Sequence, residues 1–580
     1  MSKAKEGLQS HEASGRRPLR WLPGVIIVAL QWLIRFIFPV LMPDAAGYAA
    51  FAGPLGWLAV VLWWVFFSRA PRLERWGGFL LMVATLALTR FFLHESIAKA
   101  SFGVLFFVFA TPFTSLAFVA WAVLTRHLSD RPRRAMMVFA VLLSGAVWTL
   151  FKIGGVDAVF HADLSWRWTL SPEQRLLAGS GDEPFEAPSG LTVSDTEAEW
   201  PGFRGPQRDG IVHGVKILTD WSQAPPVEVW RKPVGPGWSS FSVQGDHFYT
   251  QEQRGEEEVV SCYSLSTGDA VWQHRDTARF WEAVGGAGPR GTPTLHRGRV
   301  YTLGATGIMN VLQASDGRVL WSRNAAEDTQ TKIPTWAFSS SPLVVEDKVV
   351  VAVAGALVAY ALDTGAVHWL HPAEGGACYS SPHLVELDGV TQILLQNAAG
   401  IFGVSPGDGK KLWEHAWPGG PIVQPALTGD GDLLVSVDER TGIRRLSVRQ
   451  QAGEWTVQTR WTSARLKPYF NDSVIHKGHV YGFDGPKLAC IDIEDGARQW
   501  KGGRYGRGQL ILLADQDLLL VLSEKGELAL VEAVPGQFTE LARHAAVKGK
   551  SWSHPVVVGE MLLVRNAQEM AAFRLARADR

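Results

Sequence analysis

Apolar and polar positions along this chain fall into two regimes that meet near residue 155. Before it, uninterrupted apolar runs occupy about 21–41, 52–68, 77–93, 103–125 and 135–153, each long enough or nearly so to cross a hydrocarbon layer of roughly 30 Å as a helix. After residue 200 the runs shorten to four to seven residues, rich in Val, Ile, Leu and Tyr and broken by Asp-Gly or other Gly-containing turns, which is a hairpin pattern. No stretch there keeps helical periodicity. Between lie residues 154–199, polar and rich in Gly, Pro, Ser and acids around a Trp166-Arg167-Trp168 knot. The domains expected are therefore a cytoplasmic N-terminus (1–20), a five-helix transmembrane domain (21–153), a linker (154–199) and an all-β domain (200–580).

Charge gives the helices a direction. Lys3, Lys5, Arg16, Arg17 and Arg20 precede the first run; Arg69, Arg72 and Arg75 follow the second; Arg126, Arg131, Arg133 and Arg134 follow the fourth. The alternate loops carry only Lys99. The positive-inside rule then places the N-terminus in the cytoplasm and, after five crossings, everything beyond residue 155 outside it. A cleaved signal peptide accounts for the first run alone and leaves the others unexplained. Arg35, Arg90, His94 and Glu95 lie within or at the ends of runs, where ionisable groups either snorkel to the interface or serve a function.

The β half repeats itself. An Asp/Ser-x-Gly turn followed by a short strand ending in Trp recurs at Gly268/Trp272, Gly317/Trp321, Gly365/Trp369, Gly409/Trp413 and Gly496/Trp500. Trp461 ends a degenerate copy, Leu541 replaces Trp in another, and a last copy, 555–575, stops after three strands. A period of roughly 40–50 residues is that of propeller blades. The count is eight four-stranded antiparallel blades, with the orphan strand Val227–Trp230 closing the last and removing exposed strand edges. The repeated Trp fills the gap between blades.

Formal net charge is zero, with 56 basic and 56 acidic residues, which leaves no electrostatic footprint for nucleic acid. Cys262, Cys378 and Cys490 are far apart in sequence and form no metal-binding or redox pair; Cys262 and Cys490 take equivalent buried positions in different blades. No nucleophile, phosphate-loop or metal motif is legible, so a metal site is not expected. Loops leading into innermost strands converge on one mouth of a propeller. Here they carry Trp238, Arg290, Trp336, Tyr379, Tyr469, Asn471, Asp472, Arg507, Trp552 and His554, aromatic faces and polar groups suited to a planar acidic ligand or a peptide. The alternative is that these residues merely brace the loops.

The blade pattern with Leu362-Asp363-Thr364-Gly365 and Trp369 resembles the pyrroloquinoline quinone (PQQ) repeat of quinoprotein dehydrogenases and of the propeller lipoproteins of the outer-membrane β-barrel assembly machinery. The segment Trp200-Pro201-Gly202-Phe203-Arg204-Gly205-Pro206-Gln207-Arg208-Asp209-Gly210 is similar to the opening of a subgroup of bacterial PQQ-like propellers. Five spans before an eight-bladed propeller resemble membrane-bound PQQ glucose dehydrogenases. That resemblance implies PQQ and Ca²⁺ as cofactors and membrane quinone as electron acceptor, with Asp472 as the candidate catalytic residue and Arg35, Arg90 and His94 towards the quinone. It also has a limit, because those enzymes build their chambers from long inter-blade insertions. The competing expectation is a non-catalytic binding or scaffold module of the bacterial inner membrane, its periplasmic mouth taking an envelope protein or a small ligand.

Overall fold

The computed structural model describes residues 19–42, 46–156, 162–179, 197–373, 378–417, 419, 422–438 and 440–578; Lys3, Lys5, Arg16 and Arg17 lie outside them. The chain divides into two units, Met1–Thr169 and Leu170–Arg580.

Four helices of the first unit are long and apolar enough to cross a membrane: α1 Leu22–Leu41, α2 Gly47–Phe67, α4 Leu105–Leu124 and α5 Asp130–Leu150. The expected third span is also a helix, α3 Arg72–Thr89, but Arg72, Glu74 and Arg75 in its first turn leave it less apolar. It runs parallel to α5. Glu74 pairs with Arg133 at 3.4 Å and Arg134 at 3.7 Å at one end, while a Cβ on Gly145 of α5 would meet Thr85 and Thr89 at the other. At the first of these ends Trp63 Nε1 donates to Arg20 O (3.0 Å), Trp64 Nε1 to Glu74 O (3.0 Å) and Trp121 Nε1 to Arg133 O (2.8 Å). The helices thus alternate in direction and gather their basic flanks at one end of the bundle. Each indole N–H ties its helix to a carbonyl at or just before the start of another.

The segment expected to be a plain linker contains two ordered pieces. A hairpin, Phe151–Val156 with Ala162–Trp166, belongs to the first unit. Helix α6, Pro172–Gly179, belongs to the second; its Glu173 accepts from Arg279 (2.8 and 3.1 Å) and from Gly255 N (2.9 Å), fastening it to blade 1.

The second unit is an eight-bladed propeller of four-stranded antiparallel blades. Numbering blades from Ser242–Gln244, the eighth is completed by Val227–Pro233, which pairs with Glu569–Arg574 through Ala572↔Trp230 and Phe573↔Glu228. Closure by the two extremities is as the repeat count requires. One short helix, Ala325–Asp328, interrupts the β pattern between blades 2 and 3. Cys262 in blade 1 and Cys490 in blade 6 are fully buried, and burial pushes both thiols up, away from reactivity.

The repeated Trp and Gly meet across blades, not within one. Trp230, Trp272, Trp321 and Trp369 each donate Nε1–H, at 2.8–2.9 Å, to a carbonyl in the strand-three-to-four turn of the next blade. The indole lies against that turn's Gly268, Gly317, Gly365 or Gly409, whose φ is 67–73°. A Cβ on Gly365 would sit 2.7 Å from the Trp321 ring, so the turn admits glycine on both steric and conformational grounds. The exceptions have reasons. Blade 5 replaces the turn by a long hairpin, Gly442–Gln451 with Glu454–Ser463, and Trp413 turns to Gln392 of its own blade. In blade 7 the register places Ala542, not the expected Leu541, at the Trp position (Leu530↔Ala542); the fourth strand of blade 8 arrives from the other extremity, so no such turn exists to receive a Trp.

Gly365→Ala is expected to destabilise the propeller by about 2–4 kcal/mol, combining strain and overpacking, and Trp321→Ala by about 3–5 kcal/mol. Leu541→Ala, half-exposed and without a dock, should cost under about 1 kcal/mol. Denaturant midpoints of the three variants check the order.

Candidate functional site

The mouth is built by strand-approach loops held to one another in a hoop. Ser240 N donates to Thr292 Oγ1 (3.1 Å), Thr292 N to Ser341 Oγ (2.9 Å) and Ser341 N to Ser381 Oγ (2.9 Å). Gln424 N donates to Asp472 Oδ1 (2.8 Å), Asn471 Nδ2 to Gly508 O, and Ser240 Oγ to His554 O (2.7 Å). Ser and Thr here do the bracing work that sequence leaves open, and they fix the aromatic residues between them.

Those aromatics form a continuous arc. Ring centroids lie 4.8 Å apart for Trp238–Trp552, 5.0 Å for Trp552–Phe470, 5.6 Å for Phe470–Tyr469, 6.3 Å for Tyr469–Trp336 and 5.1 Å for Trp336–Tyr379. They line a pocket of about 200 Å³ together with Arg290, Asp472, His554 and the unforeseen Phe203, Glu282, Ser339 and Gln509. Eight of the ten residues singled out from sequence share this pocket. Asn471 is instead buried in the hoop, and Arg507 lies outside the lining, its guanidinium 4.0 Å from the Tyr469 ring centroid.

One wall comes from the blade 1–blade 2 connection, where Trp281–Glu282 and Gly286–Ala287 pair as a small hairpin. Trp238 Nε1 and Lys550 Nζ each donate to it, at Gly285 O and Val284 O (2.6 Å both), and Lys550 also lies 4.0 Å from the Trp552 ring centroid. The run of glycines at 285, 286 and 288 was the sequence signal for this wall.

The floor is the segment Trp200–Gly210, which crosses the central channel. Trp200 pairs with Val243 of blade 1, Pro201 O accepts from Leu295 N of blade 2 (2.7 Å), and Arg208 donates to Ser341 O and Pro342 O of blade 3 (3.1 and 2.9 Å). Arg204 donates to Ser473 O of blade 6 (2.8 Å), and Ile211–Val212 add a parallel strand to blade 7. Phe203 stands edge-on to His554 of blade 8 at 5.1 Å. Arg204 and Arg208 both have left-handed backbone, φ 61° and 56°, a strained geometry that persists only where surroundings over-determine it. The pocket is therefore a blind cup.

Each of its lining carboxylates faces a guanidinium. Arg204 lies 3.7 Å from Asp472 Oδ1, and His554 Nε2 is 3.3 Å from Oδ2 without hydrogen-bond alignment. Burial pushes the Asp472 carboxyl up, but Arg204, His554 and the Gln424 N–H outweigh it and hold the group below the usual carboxylate range. Burial pushes His554 down, so it is neutral at pH 7. Arg290 is lowered to about 10 by burial, opposed by Glu282, 3.5 Å away, and Glu258. Beneath the floor, His383 is pushed down to about 3 by burial and by Arg208 and Arg204. Neither lining carboxylate is thus without a facing guanidinium, while Arg208 in the floor and Lys550 beside Trp552 donate to backbone carbonyls.

Nor do the residues fit a calcium-bound quinone cofactor. Ca²⁺ takes six to eight oxygens, carboxylates among them, whereas both pocket carboxylates face guanidinium groups. Among the described residues no three of His, Cys, Asp or Glu converge as a metal site.

Because His383 and His554 are neutral in the fold and ordinary in the unfolded chain, the unfolded state binds more protons below about pH 6.5. Stability is expected to fall as pH drops from about 6.5 towards 3, on top of the loss as Asp472 becomes protonated. Melting curves of the full chain should show this slope, and His383→Asn should flatten it between pH 6.5 and 5.

Residues 256–501 match the family model described as outer membrane protein assembly factor BamB. The outer membrane protein assembly factor BamB of Shewanella oneidensis is 24% identical over 334 residues, 52% of this chain and 76% of the relative. Among solved structures, BamB from Moraxella catarrhalis superposes with a TM-score of 0.45 at 14% identity, covering 61% of this chain and 99% of its own. Quinohemoprotein alcohol dehydrogenase from Comamonas testosteroni gives 0.49 at 13%, covering 67% and 82%. The C-terminal unit is thus an eight-bladed β-propeller, and residues 256–501 within it are similar to the PQQ-repeat family.

Proposed function

We propose that the chain is a membrane-anchored, non-catalytic binding module whose propeller mouth receives an apolar or aromatic side chain of a protein partner in the bacterial envelope. The observation that carries this is the arc of six rings around a blind cup whose two lining carboxylates each face a guanidinium. A volume of about 200 Å³ is below the roughly 300–1,000 Å³ of small-molecule sites and suits one or two side chains. Aromatic anchors in a desolvated pocket are where protein interfaces concentrate their energy. The Shewanella relative is named for outer membrane protein assembly, and a partner on that route is in keeping with the cup.

For localisation, the proposal is the inner membrane with the N-terminus cytoplasmic and the propeller periplasmic. The basic flanks at one bundle end and the parallel course of α3 and α5 support five crossings over four.

Two experiments test these readings. In intact spheroplasts a membrane-impermeant maleimide is expected to label Ser266→Cys on blade 1 and to spare Ser129→Cys between α4 and α5, the native thiols being buried; the reverse pattern overturns the orientation. A photo-crosslinking amino acid at Ser339 is expected to yield a discrete adduct with an envelope protein, reduced at least fivefold by Trp336→Ala with Trp552→Ala in a variant whose melting curve shows it folded. Saturable dye reduction on adding PQQ and Ca²⁺, or an adduct indifferent to the two tryptophans, overturns the binding reading.

A further inference from the structure

Within the helical unit, Arg35 is a charge without a countercharge. It stands in a π-helical turn of α1, Leu33–Ile37, only 6% exposed. Among the described residues no Asp or Glu forms an ion pair with it; two rings flank its guanidinium instead, Phe36 at 5.5 Å and Phe109 at 5.7 Å. The wider turn rotates one residue out of the α-helical register, and such turns recur at functional sites.

Ring contacts fix the depth of this charge. Phe109 stacks on Trp148 (6.2 Å), Trp148 meets Phe151 (6.3 Å), Phe151 stacks on Trp166 (4.7 Å) and Trp166 on Trp168 (5.2 Å). Trp148 is two residues from the end of α5, and Trp166 and Trp168 are 47% and 68% exposed. Amphipathic rings of this kind occupy the headgroup layer, so Arg35 lies one ring below it. Arg35 is six residues from the end of α1, about 9 Å at 1.5 Å per residue, within snorkelling reach of that layer. A buried cation at this level is costly unless paired, and lipid phosphate is an anion that the headgroup layer supplies.

We propose that Arg35 is a binding site for the phosphate of an anionic phospholipid, held between α1 and α4 at the bundle end opposite the basic flanks. The site rests on the helical unit lying in a bilayer.

The test is thermal unfolding of the full chain in detergent, titrated with phosphatidylglycerol, with phosphatidylcholine of the same acyl chains, or with inorganic phosphate. Phosphatidylglycerol is expected to raise the midpoint by several degrees over phosphatidylcholine, and inorganic phosphate to have no effect. Arg35→Gln should remove at least half of that difference, Arg35→Lys should keep part of it, and Lys152→Gln with Arg167→Gln on the interfacial hairpin should keep most. An undiminished difference in Arg35→Gln, its loss in the hairpin variant alone, or an equal response to free phosphate overturns the site. Should Arg35→Gln fail to fold, native mass spectrometry of wild type and Arg35→Lys decides: equal phosphatidylglycerol retention overturns it. Release of the chain from membranes by alkaline carbonate would overturn the bilayer premise itself, whereas a retained chain without lipid preference overturns Arg35 alone.

Discussion

The propeller depends on one contact repeated around it: an indole from the outermost strand of one blade laid on the turn of the next. Burying a Trp removes about 200 Å² from water, roughly 5 kcal/mol gross at ~25 cal/mol/Å², against about 1 kcal/mol net for its hydrogen bond. Area supplies the adhesion, while the Nε1–H bond and the glycine beneath the ring fix the angle between blades. Where the receiving turn is lost, at blades 5 and 8, the Trp is re-aimed or replaced. The device thus follows the neighbour, not the blade that carries it.

Eight such angles close a channel, and what fills that channel decides the chemistry of the mouth. The Trp200–Gly210 segment bridges blades on opposite sides with two guanidinium groups bonded to inner-strand carbonyls. It turns a through-channel into a cup and presents Phe203 as part of its floor. The hoop of Ser and Thr bonds above it immobilises the aromatic loops, so the rings are arranged before any partner arrives. A partner then pays little ordering cost at that site.

In the helical unit, buried polarity is sorted by end. Glu74 with Arg133 and the indole-bonded carbonyls hold one end together internally. The other end carries a ladder of rings and a guanidinium that no described Asp or Glu pairs with. The first arrangement is an internal lock, the second an open valence.

Periodicity and spacing were enough to determine the helical and β halves, the eight blades, the closing strand and the set of aromatic mouth loops. Each of these rests on local hydrophobic pattern or on a repeat that any single copy displays. Tertiary structure alone decided the rest. The Trp–Gly partnership runs between blades, the floor is laid by a segment whose contacts lie up to 351 residues away, from Phe203 to His554, and Asn471 and Arg507 leave the cup that their sequence neighbours line. Charge at the mouth is partly of this kind: Arg204 meets Asp472 only once the ring is shut, whereas Arg290 and Glu282 pair within one connection. Sequence records which groups are present, but whether a buried charge is free or paired is a property of distance, and distance is set by closure.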